Sequence, residues 1–334
     1  MRAITALALA AAVLAARPAP AQLFVAGFNQ AWIEGKYGRD LSSAFVEADW
    51  ARVFRLARAG GATAVRVWLF EGMAKEGVVW NGKVPARVDP ALVANVRRVI
   101  ALAASNGVRI YWTSTSANWA PEWPRAIDYE RHWNIFQDRY EAGRLFREKC
   151  LGPVLDAIRE RPEALYALDL LNEAQGGVKN WAFKDGWAGA RRYLAATAAF
   201  VHARAPGIKV SASSGHTEAI ADFLAGRFDG LGLDLYDVHV YADAAAVPHG
   251  QELARHARRR GLPIVIGEYG QAKKADDPAL QARVTGGMLA DARRLGFAAA
   301  FAWRLDDGKG RFRFFDGARE RPALAEFRRV ARAP

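Results

Sequence analysis

Apolar and polar positions follow two regimes along this chain. Short continuous apolar runs, such as Ala64–Phe70, are followed by longer stretches whose apolar residues recur every three or four positions. A continuous run reads as a strand buried on both faces, and the longer spacing as a helix with one apolar side. The first strand is expected over Leu23–Trp32, then a helix over Trp50–Ala59 that Gly60-Gly61 ends. Ala64–Phe70 is the second strand. Pro90–Ser105 places Leu92, Val96, Val99, Ile100 and Ala103 on one face, and Asn106-Gly107 closes it. Val108–Thr113, Ala164–Leu171 and Ile208–Ser213 read as strands three to five. Helices over Gly143–Glu160, Trp187–Ala205 and Thr217–Leu224 lie between or after them. Leu233–Tyr241, Pro263–Tyr269 and Ala298–Arg304 complete the strands, and Gln251–Arg260, Pro278–Leu295 and Pro322–Val330 the helices.

Eight strand–helix units in this order predict a (β/α)8 TIM barrel of the α/β class, in a single domain. A doubly wound open sheet is the alternative, but no G-x-G-x-x-G follows the first strand and no phosphate-binding P-loop occurs. The longest stretch without a period is Thr115–Glu141, after the third strand. It is rich in Trp and Tyr and reads as a ligand-holding loop.

The first residues belong to a different class. Arg2, the Ala-rich apolar run Ala3–Ala16 and the small-residue site ending at Ala21 read as a secretory signal over residues 1–21. The expected mature domain is 22–334, secreted or periplasmic, with no stable membrane anchor. The 334-residue chain carries a formal charge of +12. Loss of Arg2 and Arg17 would leave +10, much of it Arg on predicted helices. That excess reads as a solvated helix surface or as attraction to an anionic polymer. No nucleic-acid motif accompanies it. The one cysteine, Cys150, excludes an internal disulfide and reads as a buried small hydrophobe. The six histidines are scattered without metal-ligand spacing, so neither a metal nor another cofactor is expected. No G-x-S-x-G elbow is present. Asp306-Asp307-Gly308 reads as a turn.

In a barrel of this kind the chemistry lies at the C-terminal ends of the strands. Two glutamates stand there after apolar runs: Glu173 after strand four and Glu268 on strand seven. Their carboxylates are expected to face each other across the barrel mouth. Two carboxyls about 5–5.5 Å apart suit retaining glycoside hydrolysis, one as nucleophile and one as acid/base. Arg66, with a Tyr hydroxyl nearby, is expected to favour an ionised nucleophile, whose charge would in turn keep the acid protonated. The eleven tryptophans suit sugar rings, whose C–H faces aromatic side chains cover. Trp119, Trp123 and Trp303 are the first candidates for subsites.

These residues in this order resemble the large clan of retaining (β/α)8 glycoside hydrolases that includes family 5 cellulases and β-mannanases. Asn172-Glu173 matches the clan's Asn-Glu pair, and Glu268 in IGEYG its strand-seven nucleophile. The resemblance implies Glu173 as acid/base and Asn172 as a hydrogen-bond donor to the sugar 2-hydroxyl. It also implies Arg66 as the arginine beside the nucleophile, and His239 and Tyr241 in DVHVY as the strand-six pair. In that pair Tyr241 contacts the nucleophile. Trp303 becomes the floor of the subsite at the reacting sugar. The chain departs from the clan on strand three, where Tyr111, Trp112 and Ser114 stand in place of a frequent His.

The expected function is an exported retaining β-glycosidase on a β-linked polysaccharide or oligosaccharide, with β-1,4-glucan or β-mannan favoured. The alternatives are a catalytically inactive carbohydrate-binding barrel and a transglycosylase using the same two glutamates. Sugar, linkage and endo or exo action depend on the loops around Trp119–Asn134 and Asn180–Trp187.

Overall fold

The computed structural model describes residues 23–71, 76–117, 129–180 and 182–333. The signal expected over residues 1–21, and Trp119, Trp123 and Trp181, lie outside them. The expected strands are all present: Val25–Asn29, Ala64–Trp68, Arg109–Thr113, Leu165–Asp169, the pieces Val210–Ser211 and Ser213–Ser214, Tyr236–Tyr241, Ile264–Gly270 and Ala299–Ala302. All pair in parallel, each with its chain neighbour, and the eighth pairs with the first. The fifth strand changes partner at Ala212. Val210 and Ser211 pair with strand four, whereas Ser213 and Ser214 pair with strand six. That switch closes the barrel, a (β/α)8 fold.

The helices form where the apolar spacing places them. α1 is Glu47–Ala59 and α2 is Pro90–Ser105. Asp89 caps α2 by accepting the Ala91 N–H at 2.9 Å, and Pro90 occupies a first-turn position where its missing N–H costs nothing. The helix expected over Gly143–Glu160 is helical from Ala142 to Ile158, with a π turn at Arg147–Leu151 just before Pro153. Proline has no N–H for the ladder and its ring crowds the preceding turn, which accounts for the irregularity. Cys150 lies in that turn, fully buried, and burial pushes its thiol up to about 12.

Three features differ from the reading of the sequence. Residues 115–141 are not all loop: Tyr129–Phe136 is a helix, α3. Its buried His132, Ile135 and Phe136 have helical spacing, but about two turns are too short to register as a period. Val78–Asn81 and Val84–Val88 form a hairpin around Gly82. Asn81-Gly82 supplies the turn between them. Glu173 opens a further short helix, Ala174–Lys179.

Two apolar layers hold the barrel. The larger lies between strands and helices and includes Trp50, Trp112, Leu168 and Phe327. The smaller fills the barrel interior with Val25, Ala64, Tyr111, Ala167, Val265 and Phe301. Phe28, on the first strand, stacks on Phe327 of the last helix with ring centroids 4.0 Å apart, and meets Phe314 edge-on at 4.9 Å. It therefore ties the two ends of the described chain together. Phe28→Ala is expected to lower stability by about 3–5 kcal/mol, the usual range for an emptied aromatic site. A urea titration with an unchanged slope and a lower midpoint would be the result.

Candidate active site

The interior changes from apolar to polar toward the C-terminal ends of the strands. Arg66, on the second strand, is completely buried there. Its Nη1 donates to Glu268 Oε1 at 2.6 Å and to Asn29 Oδ1 at 3.2 Å. Its Nη2 donates to Asp169 Oδ2 at 2.7 Å and to Asn172 Oδ1 at 2.8 Å. The rings of Trp68 and Tyr111 lie within 6 Å of the guanidinium. The carboxylates around it drive its pKa upward, so it is a permanent cation.

Asp169 carries much of the local structure. Its Oδ1 accepts the N–H groups of Leu171 at 3.2 Å and Ser213 at 3.1 Å, and its Oδ2 accepts the Ser213 hydroxyl at 3.0 Å. Ser213 Oγ accepts the Glu173 N–H at 2.9 Å. Glu173 itself has φ 51° and ψ 60°, a left-handed conformation that costs an L residue roughly 1–2 kcal/mol. Gly215 leaves room for its side chain: a Cβ there would lie 2.5 Å from Glu173 Cδ.

Glu268 is placed by a bulge. Ile266 pairs with Val238 and Glu268 with His239, so Gly267 is an extra residue in the seventh strand. The Gly267 N–H donates to Asp237 Oδ1 at 2.7 Å, and a Cβ at this position would lie 2.3 Å from that carboxylate. Asp237 also accepts from Tyr111 Oη at 2.6 Å, and Tyr111 Oη lies 2.5 Å from Ser211 Oγ. Burial and the charge of Asp169 push the Asp237 pKa well up.

The two glutamates meet above this layer. Both are about 5% exposed, so each carboxylate answers to its protein neighbours. Glu268 accepts at both oxygens, from Arg66 at Oε1 and from Tyr241 Oη at Oε2, 2.8 Å away. Glu173 faces imidazoles instead: His239 Nδ1 lies 3.0 Å from its Oε1, and His216 Nε2 3.6 Å from its Oε2. His239 Nδ1 is also 3.6 Å from Glu268 Oε2, so this ring sits between the two carboxylates. Burial lowers the His239 pKa to about 4 and leaves the ring neutral near pH 7. Glu173, His239 and Glu268 each offer a ligand atom within 4.8 Å of the others. The three groups are close enough to share a cation. Arg66 already places its charge on Glu268, however, and a second cation would be repelled by it.

The structure therefore brings Arg66, Asn172, Glu173, His239, Tyr241 and Glu268 into one cluster. Trp303 stands at the eighth strand's end, half-buried, with the Trp32 and Trp68 rings 5.9 and 6.0 Å from its own. Trp112 faces the outer core and Tyr111 the barrel interior, so neither joins the mouth. Asp306 is taken up by Arg52 and by the Gly308 N–H, as a turn residue. The sequence reading did not single out Asn29, Asp169, Ser213, His216 or Asp237. Asp169 and Asp237 had one signal, a carboxylate within an otherwise apolar strand.

No family model and no curated protein matches this chain. Solved structures do. A β-mannanase from the blue mussel Mytilus edulis aligns with a TM-score of 0.70 at 18% identity, covering 92% of both chains. A hyperthermophilic endo-β-1,4-glucanase aligns at 0.66 and 15%, over 92% of this chain and 97% of the other. An exo-β-1,4-mannosidase from an Opitutaceae bacterium aligns at 0.70 and 15%, over 93% and 59%. At these identities the likeness establishes the shared barrel fold.

The buried neutral His239 makes stability depend on pH. An unfolded His titrates near 6.5, so between pH 6.5 and about 4 the unfolded chain binds the extra proton. This contribution is present in full above pH 6.5 and is lost as pH falls through 4, by roughly 3 kcal/mol. His239→Gln is expected to remove that part of the pH dependence, read from denaturant midpoints at pH 7 and 4.5.

Proposed function

We propose that this protein is an exported retaining β-glycosidase acting on a β-1,4-linked polysaccharide, mannan or glucan. The observation that carries the reading is the unequal partnering of two carboxylates whose oxygens lie within 4.8 Å. Glu268 accepts from a permanent cation and a phenol, which suits an ionised nucleophile held with one lone-pair direction toward the sugar. Glu173 faces a neutral imidazole, so His239 adds no charge that would strip its proton. That suits a general acid.

Glu268 attacks the anomeric carbon while Glu173 gives its proton to the leaving oxygen, and a covalent glycosyl ester forms. Glu173, now a base, takes a proton from water, whose oxygen attacks the same carbon and releases Glu268. Two inversions give net retention. Asn172 spends its carbonyl on Arg66, which leaves its NH2 to donate to a sugar hydroxyl. The half-buried Trp303 ring, backed by Trp32 and Trp68, suits stacking on the sugar's apolar face. The separation of the two carboxylates favours retention over inversion, which needs about 6.5–9.5 Å. The mannanase and glucanase names among the structural neighbours support the choice of polymer. The signal-like residues 1–21 support export. The acceptor that resolves the ester decides between hydrolysis and transglycosylation.

The test is a product assay on β-mannan and β-glucan, with NMR of the first-formed anomer. The wild type should release β-anomeric oligosaccharides. Glu173→Ala should lose about 10²–10⁴-fold in kcat on the polymer, the usual contribution of an acid/base. It should recover with azide on an activated aryl β-glycoside, giving a β-glycosyl azide. Glu268→Gln should be inactive without rescue. An α-anomer appearing first would overturn the double displacement. A wild type that binds the polymer but never cleaves it would favour the inactive carbohydrate-binding barrel.

A further inference from the structure

A second concavity lies among segments that follow the third and fourth strands and uses none of the cluster described above. It is a cleft of about 400 Å³, lined chiefly by the end of α3, by residues 137–139, by Phe183–Asp185 and by a further helix, α4 (Trp187–Arg204). These segments follow the third and fourth strands, and Phe183 lies four residues after the short helix that Glu173 opens. Its volume falls in the range of small-molecule sites.

The floor is apolar. Phe136, Phe183 and Tyr193 pack with ring centroids 5.3–6.0 Å apart. The rim is charged and unbalanced. Arg139, Arg147, Lys184 and Arg192 face it against two carboxylates, Asp138 and Asp185. Both carboxylates are already engaged: Asp138 accepts the Arg144 N–H at 3.0 Å, and Asp185 pairs with Arg192. Among the described residues Arg139, Arg147 and Lys184 take part in no ion pair. The backbone at Asp138 on this rim, and just beyond it, is also held in an unfavoured form. Asp138, Tyr140 and Glu141 have φ of 50°, 54° and 58°, and none is glycine. Left-handed non-glycine residues concentrate at ligand clamps and active sites.

We infer that this cleft is a second saccharide-binding site, separate from the catalytic pocket, for a sugar residue that carries a carboxylate. Guanidinium forks and an ammonium pair with a carboxylate, and an apolar floor covers the C–H face of a sugar ring. The inference rests on the glycan-directed reading above. It adds that the polymer, or its side chains, includes uronate units. Such a site would hold an acidic glycan without touching the reacting atoms.

The experiment is calorimetric titration of the full chain with trigalacturonate, neutral mannotriose and sodium sulfate. Trigalacturonate is expected to bind, with affinity falling several-fold between low and high salt. Arg139→Gln/Lys184→Gln, at two exposed positions, should weaken it about tenfold and leave mannotriose unchanged. Arg147→Gln should act the same way, with thermal melts confirming the fold of each variant. Trp303→Ala in the catalytic mouth should leave trigalacturonate binding intact. Four results would overturn the proposal: no binding, equal affinity in the charge variants, loss of binding in Trp303→Ala, or sulfate binding as tightly as the triuronate. None of these readouts requires turnover, so the outcome is independent of whether Glu173 and Glu268 prove catalytic.

Discussion

A guanidinium buried at the centre of the barrel sets the terms for everything around it. Removing a cation from water costs several kcal/mol unless charge and hydrogen bonds replace the solvent. Arg66 obtains that replacement from Asn29 on strand one, Asp169 on strand four, Asn172 beyond it and Glu268 on strand seven. Those residues lie up to 202 positions away in sequence. The network is satisfied only when the barrel has closed in the right register. The residue that orders the site is therefore also one that reports correct folding.

The same cation creates the difference between the two glutamates. It contacts Glu268 directly and reaches Glu173 indirectly, through Asp169 and Ser213, which hold the Glu173 backbone, and through the adjacent Asn172. Around it two buried groups, Asp237 and His239, are pushed toward neutrality. Burial raises Asp237 and lowers His239, and both shifts remove charge from the interior. One cation thus remains among few anions, and its direction distinguishes two side chains of identical chemistry. His239 therefore stands between both carboxylates as a neutral ring.

Backbone irregularities make this placement possible. A regular seventh strand would alternate Ile266, Gly267 and Glu268 across the sheet. The extra residue at Gly267 instead sets Glu268 against His239, and only glycine fits beside the Asp237 carboxylate. Glu173 is displaced from regular structure as well, by its left-handed backbone and by the space at Gly215. Neither the bulge nor the left-handed turn follows from periodicity, because each is imposed by contacts with another strand.

The sequence by itself determined the local order: buried strands read as continuous apolar runs, helices from their spacing and caps, and Glu173 and Glu268 at strand ends. These were legible because each depends on residues close together in the chain. Short elements were less legible. α3 and the hairpin at Gly82 fell below the length at which a period stands out. Asp169, Ser213 and Asp237 are polar residues in apolar runs, and their spacing says nothing of their partners. His216 follows strand five as one exposed histidine among six, and only proximity to Glu173 marks it. The unpaired cations at the cleft beside α3 and α4 likewise acquire meaning only from the wall that gathers them. Tertiary structure alone decided which carboxylate faces the guanidinium, because that pairing is a contact between strands two and seven. A chain pattern records which face of an element is apolar, but not which distant polar group will stand opposite it.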